Sequence, residues 1–259
     1  MPPSPPPLPR RDRIAIGSAL VGLTLIAWYF LIAMDAGMSP AMMQEMGYGG
    51  VRPWSAADFA LMFAMWAVMM VGMMVPTAMP VTLIYAAVAR KAARQRTPVA
   101  PTALFVSGYV AMWTLFSVVA TLAQWGLDRA ALLSPMLVTT SPELGATILI
   151  GAGFYQLTPV KQRCLQHCRA PAHFISERFR PGSVSAFRMG WVHGAYCLGC
   201  CWLLMGLLFF GGVMSLVWIG GITFFVLAEK ILPFGDGGGR LAGWALVGTG
   251  VVLLVRSMI

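Results

Sequence analysis

Between Arg188 and Trp202 the chain reads RMGWVHGAYCLGCCW, which places three cysteines and one histidine within nine residues. At about 100° per residue, Met189, His193, Cys197 and Cys200 project within an arc of roughly 80°, with Cys201 beside it. Thiolate and imidazole together form a ligand set for copper or zinc, so this stripe is a candidate metal site. The competing explanation is packing. Cysteine serves as a small hydrophobe, and Gly194 and Gly199 allow a neighbouring helix to come close.

A second set of soft donors is built from methionine. In DFALMFAMWAVMMVGMMVPTAMP, Met62, Met65, Met69 and Met73 again share an arc of about 80°, and Met70 and Met74 widen it. Pro76 and Pro80 should kink the inner end and release backbone carbonyls for a neighbour or a ligand. Ahead of it, DAGMSPAMMQEMGYGG groups Met38, Met42, Met43 and Met46. Thioethers suit Cu(I), and they stay ligands in oxidising surroundings where exposed thiols pair into disulfides. Methionine also fills irregular apolar gaps, so either group could be packing.

The third cluster is Cys164-Leu-Gln-His167-Cys168. If the helix before it continues past Pro159, these three side chains share a face, and His173 could complete a set of four. No second Cys or His pair follows at zinc-finger separation.

The elements that must carry these residues are membrane helices. The 259 residues are 58% hydrophobic and 10% charged, against roughly 25% charged in a soluble domain. Apolar runs near 14–34, 57–80, 103–126, 142–160, 189–210, 213–232 and 241–258 are each close to the ~20 residues that cross a bilayer. The fold class expected is all-α, a polytopic transmembrane helix bundle of about seven spans. Six is the alternative, if one broken element replaces the hairpin at Gly211 and Gly212. The domain runs from 14 to 259 behind a disordered, proline-rich tail at 1–13. With a cytoplasmic N-terminus, every Lys and Arg except Arg52, Arg129 and Arg256 falls on the inner side. That bias supports a multi-pass protein of a bacterial inner membrane. Lys161 to Arg188 then forms a basic inner loop.

The net charge of +9 is accounted for by these topology signals, and no basic and aromatic face for nucleic acid accompanies it. No Ser-His-Asp pattern, Walker loop, dinucleotide fingerprint or HExxH helix is present, which removes the common hydrolase, kinase and metalloprotease classes.

The Met-rich run ending MMVPTAMP, the stretch YQLTPVKQRCLQHCRAP, and HGAYCLGCCWLLMGLLFFGGVMSLVW followed by Glu229-Lys230 resemble a bacterial family of predicted metal-binding integral membrane proteins, catalogued as domain of unknown function 2182. The likeness covers about residues 55–235 and implies a copper chaperone in the membrane. One departure is Ser215, where similar proteins usually carry Asn.

The function expected is a non-enzymatic one: binding and handing over Cu(I) through Met, Cys and His, as a chaperone or transporter does. Zinc is the other metal the donors suit. The partners implied are the metal ion, the bilayer and another copper-handling protein. Two alternatives remain. One is a membrane thiol-disulfide oxidoreductase using the Cys197/Cys200 pair. The other is a structural membrane partner in which these residues only pack.

Overall fold

The computed structural model describes residues 8–37, 53–97, 99–134, 137–232 and 235–259. The described residues are predominantly helical, with no strand beyond an isolated bridge between Leu133 and Thr139. In chain order the helices are α1 (Arg10–Gly37), α2 (Ala56–Arg94), α3 (Thr102–Arg129), α4 (Pro142–Leu157), α5 (Pro159–Arg169), α6 (Pro171–Arg178), α7 (Ser183–Gly206), α8 (Leu208–Gly211), α9 (Leu216–Ile231) and α10 (Gly235–Met258).

Each of the seven apolar runs is largely helical, the fourth interrupted at Thr158 and the fifth at Leu207. Five segments are long and apolar enough to cross a membrane: α1, α2, α3, Ser183–Gly211 and Gly237–Met258. The other two runs form α4 and α9, each of 16 residues, or about 24 Å at 1.5 Å per residue against a ~30 Å hydrocarbon core.

Local signals set the boundaries. Ser55 caps α2 in a reciprocal box with Asp58, which satisfies two amides of the opening turn. Ser141 and Thr158 cap α4 and α5, and each is followed by proline at the first helical position. Thr158 is extended at ψ 146°, so the helix stops there and restarts instead of running past Pro159. The expected basic loop therefore contains two short helices, α5 and α6. At the other end of the chain, α1 starts at Arg10, inside the stretch expected to be a disordered tail to residue 13, and Asp12 forms an ion pair with Arg90 of α2.

Helix packing centres on α2. Its apolar face packs against α1 and α3, α3 packs against α7, and α10 packs along α4. Two glycines permit the tight α3–α7 contact. A Cβ on Gly190 would lie 1.9 Å from the Phe105 carbonyl oxygen, and one on Gly108 would lie 2.0 Å from that of Phe187. Such backbone approach through small residues is the usual means by which helices associate in lipid. The outer surface is apolar: Leu25, Ile26, Tyr29, Phe30, Val118, Val119, Val217, Phe224, Val251 and Val252 are exposed. A belt of this kind suits lipid and not water.

Pro76 removes the amide that would bond the Gly72 carbonyl, and Trp28 Nε1 of α1 donates to that oxygen at 3.3 Å. The expected freed carbonyl is thus taken by a neighbouring helix.

Candidate metal centre

The methionine stripe of α2 faces the protein interior. Met62, Met65, Met69, Met70, Met73 and Met74 are each at most 1% exposed. They form a continuous buried thioether column, as the helical period predicts for the face turned toward α3 and the rest of the bundle. One member has a specific polar partner: Gln124 Nε2 of α3 donates to Met62 Sδ at 3.1 Å, while Gln124 Oε1 accepts from Trp66 Nε1 at 2.7 Å. Met62 therefore anchors a buried amide.

The inner end of the column meets a polar knot around Cys197. Tyr109 Oη of α3 donates to the Met74 carbonyl at 3.0 Å and lies 3.1 Å from Cys197 Sγ. Lys230 Nζ of α9 donates to Cys197 Sγ and to Thr77 Oγ1 of α2, both at 2.9 Å. Helices α3 and α9 thus meet the sulfur carried by α7, and α2 is tied to both of them. An ammonium at this distance supplies the countercharge that a thiolate ligand requires where water is scarce.

The neighbouring thiols complete the sulfur cluster. Cys200 Sγ and Cys201 Sγ donate to the Cys197 carbonyl at 3.0 and 2.9 Å. Both side chains are therefore turned onto their own helix. Cys168 of α5 lies near the thiols of Cys197 and Cys200, and their proximity, with burial, pushes its own thiol well above the usual thiol range. Cys164 lies against the α7 backbone, its Sγ 2.8 Å from where a Cβ on Gly199 would sit. Burial and nearby Cys200 push the Cys164 thiol up. All five cysteines are free thiols.

His193 is 3% exposed and sits among rings, with Phe174 at 5.3 Å, Tyr109 at 5.8 Å and Phe105 at 6.3 Å between centroids. Its Nδ1 is buried without a hydrogen-bond partner. An orphaned imidazole nitrogen one helical turn from Cys197 is costly unless a ligand uses it at some stage.

Other expected donors lie apart from this cluster. His167 stacks face to face on Tyr196 at 4.0 Å, and its Nδ1 is 2.8 Å from the Arg163 carbonyl. His173 pairs at the surface with Glu177 at 3.4 Å, so it does not complete a set of four. Met38, Met42, Met43 and Met46 lie outside the described residues. Sequence reasoning passed over Lys230, Tyr109 and Thr77 as parts of the site. The one signal for them was a lysine at the end of an apolar run beside Glu229.

Among the described residues, no group of three or more His, Cys, Asp and Glu side chains stands ready to hold an ion. The donors fit a soft metal by their chemistry, since Cu(I) accepts as few as two sulfur ligands.

Fold and centre define a class: an all-helical protein, with five helices able to cross a membrane, built around buried thioethers and thiols. The profile of the PpoB2 copper chaperone family matches residues 63–253, and the chain belongs to that family. The match takes in the methionine column from Met65 onward and every residue of the Cys197 knot. No curated protein and no solved structure matches the chain.

Proposed function

We propose that this protein binds Cu(I) as cargo and passes it along the methionine column of α2 to the thiols around Cys197. The observation that carries the proposal is the contact between the two systems. The column ends at Met74 and Thr77, and both touch groups bonded to Cys197. Transfer between adjacent soft ligands keeps each step close to isoenergetic, which a carrier needs and a storage site does not. Met38, Met42, Met43 and Met46 would collect the ion at the outer end, and Cys164, His167 and Cys168 would receive it at the inner end. His193 and Lys230 serve the centre as a nitrogen donor and a countercharge.

In this account seven helices cross a bacterial inner membrane from a cytoplasmic N-terminus, with α4 and α9 as the short spans. The protein works as a carrier without a catalytic step, and another copper-handling protein supplies or accepts the ion.

The test is metal content by elemental mass spectrometry on protein purified in detergent after copper loading. The wild type should hold about one copper per chain, or more. The variant His193→Ala/Cys197→Ala/Cys200→Ala/Cys201→Ala should lose it. Equal copper in both would remove the centre from copper handling, and zinc in place of copper would change the cargo.

A further inference from the structure

Outside the cysteine knot, a cleft of about 780 Å³ lies between α6 and the start of α7. Arg178, Arg180 and Arg188 line it, with Ser183 in its wall, and Glu177 is its one carboxylate. Glu177 already pairs with His173, so the cleft keeps a surplus of positive charge. Arg178 is held in place: its guanidinium bonds Tyr196 Oη at 3.2 Å and lies over the rings of Phe174 and Tyr196. Arg180 and Arg188 are exposed on the rim.

The floor of this cleft is Met189, which is 3% exposed. Met189 is the first member of the stripe that continues through His193 to Cys197, at successive intervals of four residues on one continuous helix. One turn of helix separates each pair, so Met189 lies about 12 Å from Cys197 along the axis. A basic mouth therefore opens onto the end of the soft-donor stripe.

We propose that this cleft docks a small anionic thiol carrying Cu(I), holding its carboxylates on Arg180, Arg188 and Arg178 with its sulfur toward Met189. The inference rests on the copper reading for the cargo, but the anion site itself does not. The volume is that of a small-molecule pocket, and planar guanidinium groups recognise carboxylates in a way that point charges do not. A free Cu(I) ion would be repelled by three arginines, whereas an anionic complex is drawn in. The exchange is a ligand substitution. The substitution is reversible: in loading, the bond between copper and the carrier's thiolate breaks, one to the Met189 thioether forms, Cu(I) keeps its oxidation state and the released thiolate takes a proton from solvent, and the reverse steps hand Cu(I) that arrived along α2 to the carrier.

The test uses the full chain in neutral detergent and S-methylglutathione, which keeps both carboxylates but has no thiolate to carry copper. Equilibrium dialysis should show saturable retention by the wild type and roughly tenfold weaker retention by Arg180→Gln/Arg188→Gln. Both substitutions are at exposed positions and keep the Arg178 contacts. Equal retention by both proteins, or none by either, overturns the proposal. Phosphatidylglycerol held through the same arginines and undisturbed by excess S-methylglutathione overturns it as well, by giving the cleft to lipid. A second arm compares copper loading from its glutathione complex and from a neutral thiol complex. The anionic donor should load faster, with an advantage that salt and the double variant both abolish. Failure of both donors to load, with S-methylglutathione still retained, would count against copper transfer and leave the anion site standing.

Discussion

Lys230 Nζ lies 2.9 Å from Cys197 Sγ, although 33 residues separate them and they belong to different helices. The same nitrogen bonds Thr77 of α2 at 2.9 Å, so one side chain ties the end of the methionine column to the thiol. If that ammonium balances the charge of a thiolate ligand, Lys230→Met should weaken Cu(I) retention about tenfold in competition with a chromogenic Cu(I) chelator. Lys230→Arg should recover part of the loss, because it restores the charge with a bulkier head. Unaltered affinity in Lys230→Met would make the contact a packing detail.

Much of this arrangement was legible in the sequence. The α2 methionines recur at the helical period because one face of that helix is buried, and the structure buries all six of them. The stripe from Met189 to Cys200 was visible for the same reason, as all four of its members are buried on α7. What no pattern could show was which helices meet. Lys230 counts in sequence as one more topology charge, and its approach to Cys197 depends on how α9 lies across α2 and α7. The Thr158-Pro159 step was visible as a point where the helix could end. Its consequence, that Cys168 comes half-buried near the core thiols while His167 stacks on Tyr196, follows from where α5 packs on α7.

The neighbour of Lys230 supports a second prediction. Glu229 is 4% exposed and Lys161 is fully buried, with Lys161 Nζ at 2.5 and 2.7 Å from the two carboxylate oxygens. Gln156 Nε2 adds a bond to Glu229 Oε1 at 3.0 Å. Removing one partner leaves an uncompensated buried charge, so Glu229→Gln or Lys161→Met should each cost roughly 3–5 kcal/mol. The double variant Lys161→Met/Glu229→Leu should regain most of that loss, since no charge is then stranded. Thermal unfolding of the three proteins in one detergent decides the matter. A double variant as unstable as the sum of the singles would contradict it.

The glycine contact between α3 and α7 gives a third. Adding a Cβ at Gly190 places it 1.9 Å from the Phe105 carbonyl oxygen, and a backbone group cannot rotate away as a side chain can. Gly190→Ala should therefore push α7 off α3 and lengthen the Tyr109–Cys197 contact, now 3.1 Å. Both thermal stability and copper retention should fall. Gly151, which has nothing within 4 Å of an added Cβ, is the control, and Gly151→Ala should leave both unchanged. Normal copper retention in Gly190→Ala would show that the Cys197 centre tolerates separation of the two helices.

The methionine column can be divided by function. Met-to-Leu substitution conserves volume and usually costs under about 1.5 kcal/mol in a core, so it removes a thioether with little effect on packing. At Met73, one residue before the Met74 carbonyl that Tyr109 engages, Leu should slow copper delivery to Cys197 and leave the melting temperature almost unmoved. At Met62 the consequences should be reversed. Gln124 is fully buried, and its Nε2 donates to the Met62 sulfur at 3.1 Å. Met62→Leu strands that donor at a cost of about 1–3 kcal/mol. It should lower the melting temperature more than Met73→Leu does, with the smaller effect on copper. Stopped-flow loading and thermal unfolding of the two variants make the comparison. Equal copper defects at both positions would extend the transfer path to the Gln124 end of the column, and no defect at either would reduce the column to packing.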